Sequence, residues 1–163
     1  MKAIAKFEKV SLERYLADGG DVAKATDYDT IKLPKRATKG SAGYDIYSPI
    51  DFTLAPNETI KIATGIRAYM EEGWVLKIYP RSGLGFKYRL GLNNTVGIID
   101  QDYYYSDNEG HVQIKLTNAS NEGKTVTVKA GEAFAQGIFL EYGITYDDDV
   151  QEVRNGGFGS TNK

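Results

Sequence analysis

Alternation of apolar and polar positions is the strongest signal in this chain. Over residues 111–117, Val112, Ile114 and Leu116 alternate with Gln113, Lys115 and Thr117, the period of a strand with one buried face. The same period runs through Thr59–Ala63 (Ile60, Ile62), residues 74–79 (Trp74, Leu76, Ile78) and residues 125–129 (Val126, Val128). Turn signals separate these runs at Ala55-Pro56-Asn57-Glu58, Glu72-Gly73, Glu122-Gly123 and Ala130-Gly131-Glu132. Short strands at such close spacing predict an all-β sandwich or jelly roll rather than alternating strands and helices. One short helix is expected, capped by Ser11, carrying Leu12, Tyr15 and Leu16 and ended by Gly19-Gly20. Residues 21–39 read as polar loop with one strand near 31–33.

Composition fits that picture and narrows the function. The 163 residues are 41% hydrophobic and 26% charged, enough for one compact domain, and the 18 glycines and 12 tyrosines suit a β-fold. Apolar runs such as Gly137-Ile138-Phe139-Leu140 fall far short of the roughly 18–20 residues of a membrane helix. Lys6, Glu8 and Lys9 interrupt the place where a signal peptide needs an apolar segment, so a cytoplasmic protein is expected. There is no cysteine and a single histidine, His111, which excludes disulfides, thiolate zinc sites and a cysteine nucleophile and leaves little for a histidine metal cluster. A net charge of -2 argues against general nucleic-acid binding. Any phosphate ligand must be met by locally placed groups.

Three segments carry candidate chemistry. Pro80-Arg81-Ser82-Gly83-Leu84-Gly85 follows a strand and gathers a guanidinium, a hydroxyl and glycine-flanked amides, which suits a phosphate cradle or, equally, a glycine turn beside a surface arginine. Gly123-Lys124-Thr125 looks like the end of a nucleotide-binding loop. However, that loop would need a glycine at Asn118 and a helix where Val126 and Val128 alternate, so a hairpin turn is expected. Asp100, Asp102, Asp107 and Glu109 surround Tyr103-Tyr104-Tyr105 after the apolar stretch Val96-Gly97-Ile98-Ile99. Asp107, Glu109 and the Asp147-Asp148-Asp149 run read as solvated. Asp100 ends a segment that reads as buried, where a carboxylate would be desolvated and oriented to act as a base. The glycine-rich segment from Arg154 to Lys163 has little to bury and is expected to be mobile in the free protein. Residues 1–153 are therefore read as the domain and 154–163 as a flexible arm.

Taken in order, these segments resemble the motifs of the homotrimeric dUTPases. The motifs are Ser41-Ala42-Gly43-Tyr44-Asp45-Ile46, Pro80-Arg81-Ser82-Gly83, the run from Asn94 through Asp100 to Tyr103, Gly131-Glu132-Ala133-Phe134-Ala135-Gln136, and the tail from Arg154. The resemblance implies a distorted jelly roll of the β-clip type and a cytoplasmic homotrimer with shared active sites. It implies Mg2+-assisted hydrolysis of dUTP to dUMP and pyrophosphate, which keeps uracil out of DNA and supplies dUMP for dTMP synthesis. Asp100 would deprotonate the attacking water. Asn94 and the backbone around Gly97 would read uracil, and Tyr103 would pack under the deoxyribose. Arg81, Ser82, Gly83 and Gln136 would hold the phosphates, with Asp45 on the hydrated Mg2+. Phe158 would close over the base, with Arg154, Gly159, Ser160 and Thr161 completing the lid toward the γ-phosphate.

The chain departs from the family in places. Residues 104–109 lengthen the loop after Tyr103, Ala133 stands where many members have arginine, and the tail from Arg154 to Phe158 is one residue short of the commonest spacing. The stretch before Ser41, with its short helix, is assigned no counterpart in the family from its sequence. Two alternatives stand beside this reading. A phage-type dUTPase would add a regulatory protein partner, with 104–109 and the N-terminal stretch as its surface. A dCTP deaminase would need a glutamate on the strand at 111–117, which offers none.

Overall fold

A computed structural model describes residues 1–19 and 26–156. In chain order the elements are β1 (Ala5–Lys9), α1 (Leu12–Ala17), α2 (Thr26–Thr30), β2 (Lys35–Arg36), β3 (Tyr44–Tyr47), β4 (Phe52–Leu54), β5 (Thr59–Ala63), β6 (Ile66–Met70) and β7 (Trp74–Pro80). They continue with α3 (Ser82–Tyr88), β8 (Leu90–Leu92), β9 (Gly97–Ile99), a 3-10 helix (Gln101–Tyr105), β10 (Gln113–Asn118), β11 (Val126–Val128) and β12 (Ala133–Glu141). The strands form one sheet in the order β2-β3-β12-β7-β9, a second in the order β5-β10-β8, and the pairs β1-β6 and β4-β11. All these pairings are antiparallel.

Alternation decides which face each strand buries. Along β10, Ile114, Leu116 and Asn118 are buried while Lys115 is exposed, and β11 buries Val126 and Val128 around an exposed Thr127. These residues join Ile62, Met70, Leu76, Ile78, Leu90, Val112 and Phe134 in one apolar core. Asn118 is the polar member of the buried face: its amide donates to the Leu54 and Lys124 carbonyls at 2.8 and 2.9 Å, and its oxygen accepts from the Ser120 amide at 3.0 Å. It thereby fixes the turn through Gly123-Lys124, and β11, not a helix, follows.

The first helix matches its sequence signals, with the Ser11 hydroxyl accepting from the Arg14 amide at 3.1 Å and Gly19 at φ 101° beyond the end. Two expectations change. Residues 31–33 form no strand: α2 precedes them, Ile31 drops into the core, and the strand is displaced to β2 at the sheet edge. Instead of one helix there are three α-helices and a 3-10 helix among the described residues, and α3 occupies the segment read as a cradle or turn. Leu84 and Tyr88, one helical turn apart, pack on the core, and Arg89 closes the helix in the left-handed region at φ 53°. Gly83 and Gly85 weaken the helical signal in sequence, and packing overrides it. No helix among the described residues is long and apolar enough to cross a membrane.

Candidate active site

The sheet register assembles the first group of predicted residues. Gln136 of β12 lies between Asp45 of β3 and Tyr79 at the end of β7, so the segment after β7 is delivered beside both. Arg81 Nε lies 3.3 Å from Asp45 Oδ1, and Gln136 Nε2 donates to the Pro80 carbonyl at 3.2 Å. Gly43 leaves room for the Gln136 amide, since a β-carbon there would sit 3.0 Å from Gln136 Oε1 and push the side chain aside. Ser82 and Gly83 open α3, whose first amides have no side-chain cap. Asp45, Arg81, Ser82, Gly83 and Gln136 thus form one cradle with a guanidinium, free amides and a hard oxygen donor.

The second group lines a cleft of about 620 Å³ at the turn that carries the chain from β8 in one sheet to β9 in the other, walled by Asn94, Gly97, Asp100, Tyr103 and Arg154 together with Leu92, Ile78 and Lys115. Thr95 at φ 66°, with Thr95 N–H donating to Leu92 O at 3.0 Å and Val96 N–H to Asn94 O at 2.7 Å, makes the hairpin turn tight. At Gly97 a β-carbon would come within 3.1 Å of Ile78 Cβ, so a larger residue would press β9 away from β7 by a few tenths of an ångström. None of the cradle residues lines this cleft.

The carboxylate in the cleft differs from expectation. Asp100 is 49% exposed rather than desolvated, and it is oriented by charge: Arg154 pairs with it through Nη2 and with Asp102 Oδ1 through Nε at 2.8 Å. The guanidinium fork spans two acidic side chains two residues apart, so Arg154 meets the proposed base and not the cradle. Phe158, Gly159, Ser160 and Thr161 lie outside the described residues. Among the described residues no His, Asp and Glu side chains gather in threes as a metal cluster.

Residues that sequence reasoning passed over hold Tyr103. Tyr103 is 6% exposed, and its hydroxyl donates to the His111 carbonyl and accepts from Asn108 Nδ2, both at 2.8 Å. Burial raises the phenol pKa, against the Asn108 hydrogen bond, so the proton stays on. The fully buried His111 ring stands between Asp18 Oδ2, 2.7 Å from Nδ1, and the Gly65 amide, which donates to Nε2 at 2.8 Å. Glu109 is not a solvated carboxylate: it accepts from the Ser11 amide and hydroxyl at 3.0 and 2.6 Å. Burial opposes its ionisation, but the Ser11 bonds outweigh that and hold its carboxyl below the ordinary range. Asp18, Gly65 and Ser11 lie far along the chain from His111 and Glu109, and Asn108, though close to Tyr103, has no local pattern that announces its role.

Comparison with known proteins places this geometry. The dUTPase family model matches residues 29–162. A deoxyuridine 5'-triphosphate nucleotidohydrolase of Lactococcus lactis is 45% identical over 134 residues, covering 80% of this chain and 88% of the relative. The one from Tolumonas auensis is 39% identical over 139 residues, covering 80% and 87%. The crystal structure of dUTPase from Streptococcus mutans superposes with a TM-score of 0.65 at 34% identity, covering 85% of this chain and 97% of that one. The dUTPase from phage phi11 of S. aureus shares the fold at a TM-score of 0.65 and 21% identity. With the motifs in sequence, the hairpin cleft and these matches all in agreement, the chain belongs to the dUTPase family.

Proposed function

We propose that this chain hydrolyses dUTP to dUMP and pyrophosphate at a site built from the cradle and the hairpin cleft. The observation that carries this is the convergence of Asn94, Gly97, Asp100 and Tyr103 on one cleft in a chain of this family. Asp100 takes a proton from water as its oxygen bonds to the α-phosphorus, the bond from that phosphorus to the α–β bridging oxygen breaks, and pyrophosphate leaves with the electron pair. Asn94 and the hairpin backbone read the uracil edge. The Tyr103 ring floors the sugar and leaves no space for a 2'-hydroxyl. Arg81, Ser82, Gly83 and Gln136 hold the phosphates, so that positioning and charge do most of the work. Arg154, Phe158, Gly159, Ser160 and Thr161 close the site from the tail.

The cradle suits Mg2+: Asp45 offers a hard carboxylate oxygen, 20% exposed, beside the phosphate-holding residues. Asp45 would hold the ion through water, with most ligands coming from the substrate phosphates, and the ion would neutralise charge on the leaving pyrophosphate. A homotrimer with shared sites is supported by two features. No cradle residue lines the cleft within one chain, and the segment after β12 leaves Tyr142, Ile144, Tyr146, Val150 and Val153 exposed, apolar side chains suited to a neighbouring subunit. The reading places the enzyme in the cytoplasm with the nucleotide pool. A second reading, an added protein-binding role, rests on Tyr105, 65% exposed at the edge of the 104–109 loop. The deciding experiment is pyrophosphate release from dUTP, dCTP and dTTP with Mg2+: release from dUTP alone is expected, and equal release from dCTP or dTTP would overturn the assignment.

A further inference from the structure

The third of the family motifs ends at Tyr103, and the loop just beyond it does not reach the cleft: of 104–109 none lines it. Yet this segment and the N-terminal stretch are tied to each other and to Tyr103. Glu109 accepts from Ser11, Arg14 Nη2 donates to the Asp107 carbonyl at 3.3 Å, and Asp18 holds His111 at 2.7 Å. Tyr104 donates its hydroxyl to Glu8 while Arg67 lies over its ring at 4.2 Å. At the centre is Asn108. The Gly110 amide can only donate, and it meets Asn108 Oδ1 at 3.2 Å, which fixes the amide's orientation and leaves Nδ2 to face the Tyr103 hydroxyl. The Asn108 carbonyl in turn accepts from the His111 amide at 3.1 Å. Gly110, at φ 67°, brings the chain back so closely that a β-carbon would lie 2.7 Å from Tyr103 O and Tyr104 Cα.

From this we infer that Asn108 is a positioning residue for sugar discrimination: with the His111 carbonyl it clamps the Tyr103 hydroxyl and so fixes how far the ring stands from the sugar. The long loop and the N-terminal helix are the frame that holds the clamp. The inference rests on Tyr103 being the sugar floor of the proposed dUTPase site. A wall rejects an added hydroxyl only if it cannot yield, and a ring held by packing alone can shift by the few tenths of an ångström that a ribose needs. A phenol bonded on both sides cannot do so without breaking a buried hydrogen bond.

The test compares kcat/KM for dUTP and UTP in the full-length protein and in N108A, N108D, Y103F and the double variant Y103F/N108A. N108D keeps the acceptor for the Gly110 amide, and with it the loop, but turns an oxygen toward the phenol. In N108A, N108D and Y103F the dUTP-over-UTP ratio is expected to fall about five- to tenfold, the worth of one net hydrogen bond, mostly through a lower KM for UTP. The double variant should fall no further than Y103F, because Asn108 acts through the hydroxyl. An unchanged ratio in folded N108A or N108D would overturn the clamp, as would losses that multiply in the double variant. Should N108A fail to fold, N108D alone decides. A wild-type protein that turns over UTP as well as dUTP would instead overturn the sugar-floor reading, and the clamp with it.

Discussion

At the scale of single residues, charge and hydrogen bonding decide what each group can do. Asp100 is half exposed and held by Arg154, so the role of base proposed for it rests on orientation and not on burial. Replacing it with asparagine keeps the shape and removes the proton acceptor. Asp100→Asn is expected to lower turnover by about 10²- to 10⁴-fold while nucleotide affinity stays within a few-fold, measured by single-turnover kinetics and binding of a non-hydrolysable analogue. Wild-type turnover in that variant would remove Asp100 from the mechanism. His111 gives a stability prediction with a definite sign. Burial lowers its pKa from 6.5, with Asp18 and Glu109 pulling upward and Arg14 downward. The folded state therefore favours the neutral ring, and below pH 6.5 the unfolded chain binds the extra proton. This contribution is complete above that value and is lost as pH falls toward the lowered folded pKa. Glu8 and Glu109, both lowered from 4.5, keep their contributions until more acidic conditions. Urea midpoints should be flat above pH 6.5 and decline toward pH 5, and a His111→Gln variant, less stable at neutral pH, should decline less. A wild-type midpoint that rose on acidification would refute the neutral assignment.

At the scale of elements, the same backbone conformation has different costs at different places. Gly73 and Gly110 both have positive φ, 83° and 67°, but a β-carbon at Gly73 meets nothing within 4 Å whereas at Gly110 it meets backbone. Gly73→Ala should cost about 1–2 kcal/mol from the left-handed conformation alone. Gly110→Ala adds a steric displacement and should cost about 2–5 kcal/mol in all. Denaturant melts at one fixed protomer concentration would check the difference, and equal losses would show that the loop does not press on Tyr103. The contrast also shows what the sequence could reveal. The regular alternations at Thr59–Ala63 and around Ile114 were legible because a one-sided strand writes its burial into every second residue. The helix capped by Ser11 was legible because its cap is local. The helix at Ser82–Tyr88 was not, since Gly83 and Gly85 argue against it and only the packing of Leu84 and Tyr88 supports it. The displaced strand near Ile31 has the same cause: one apolar residue joins the core without a sheet to hold it. Within the site, Asp45, Arg81, Asn94 and Asp100 were legible as motif residues. Asp18 and the inward turn of Glu109 were not, because their partners are brought from far along the chain by the fold, and Asn108 was not, because no local pattern sets which way its amide turns toward its neighbours Tyr103 and Gly110.

At the scale of the whole molecule, the trimer proposed above turns on which subunit supplies each part of a site. Cradle and cleft do not share lining residues within the chain, and the exposed apolar arm after β12 argues for a neighbour. Against this, Arg154 rests on Asp100 and Asp102 of its own chain. In the trimer proposed above, that contact competes with delivery of the tail to another subunit: a tail that leaves frees Asp100 for the water, and a tail that stays neutralises the base. Two inactive proteins separate the arrangements. One carries Asp100→Asn with an intact tail, and the other ends at Val153 with Asp100 intact. Each alone should be crippled in kcat/KM for dUTP. The two are unfolded, mixed in equal amounts and refolded together. If the tail acts on a neighbour in a closed three-fold ring, a working site needs its hairpin from a truncated chain and its tail from an Asp100→Asn chain. With random assembly both conditions hold in about one site in four, so activity should recover to about a quarter of the wild-type value. If each site uses the hairpin and tail of the same chain, as the Arg154 contact would have it, every site lacks one or the other. The mixture then stays as inactive as its components, and the shared tail is refuted while the hydrolytic assignment stands.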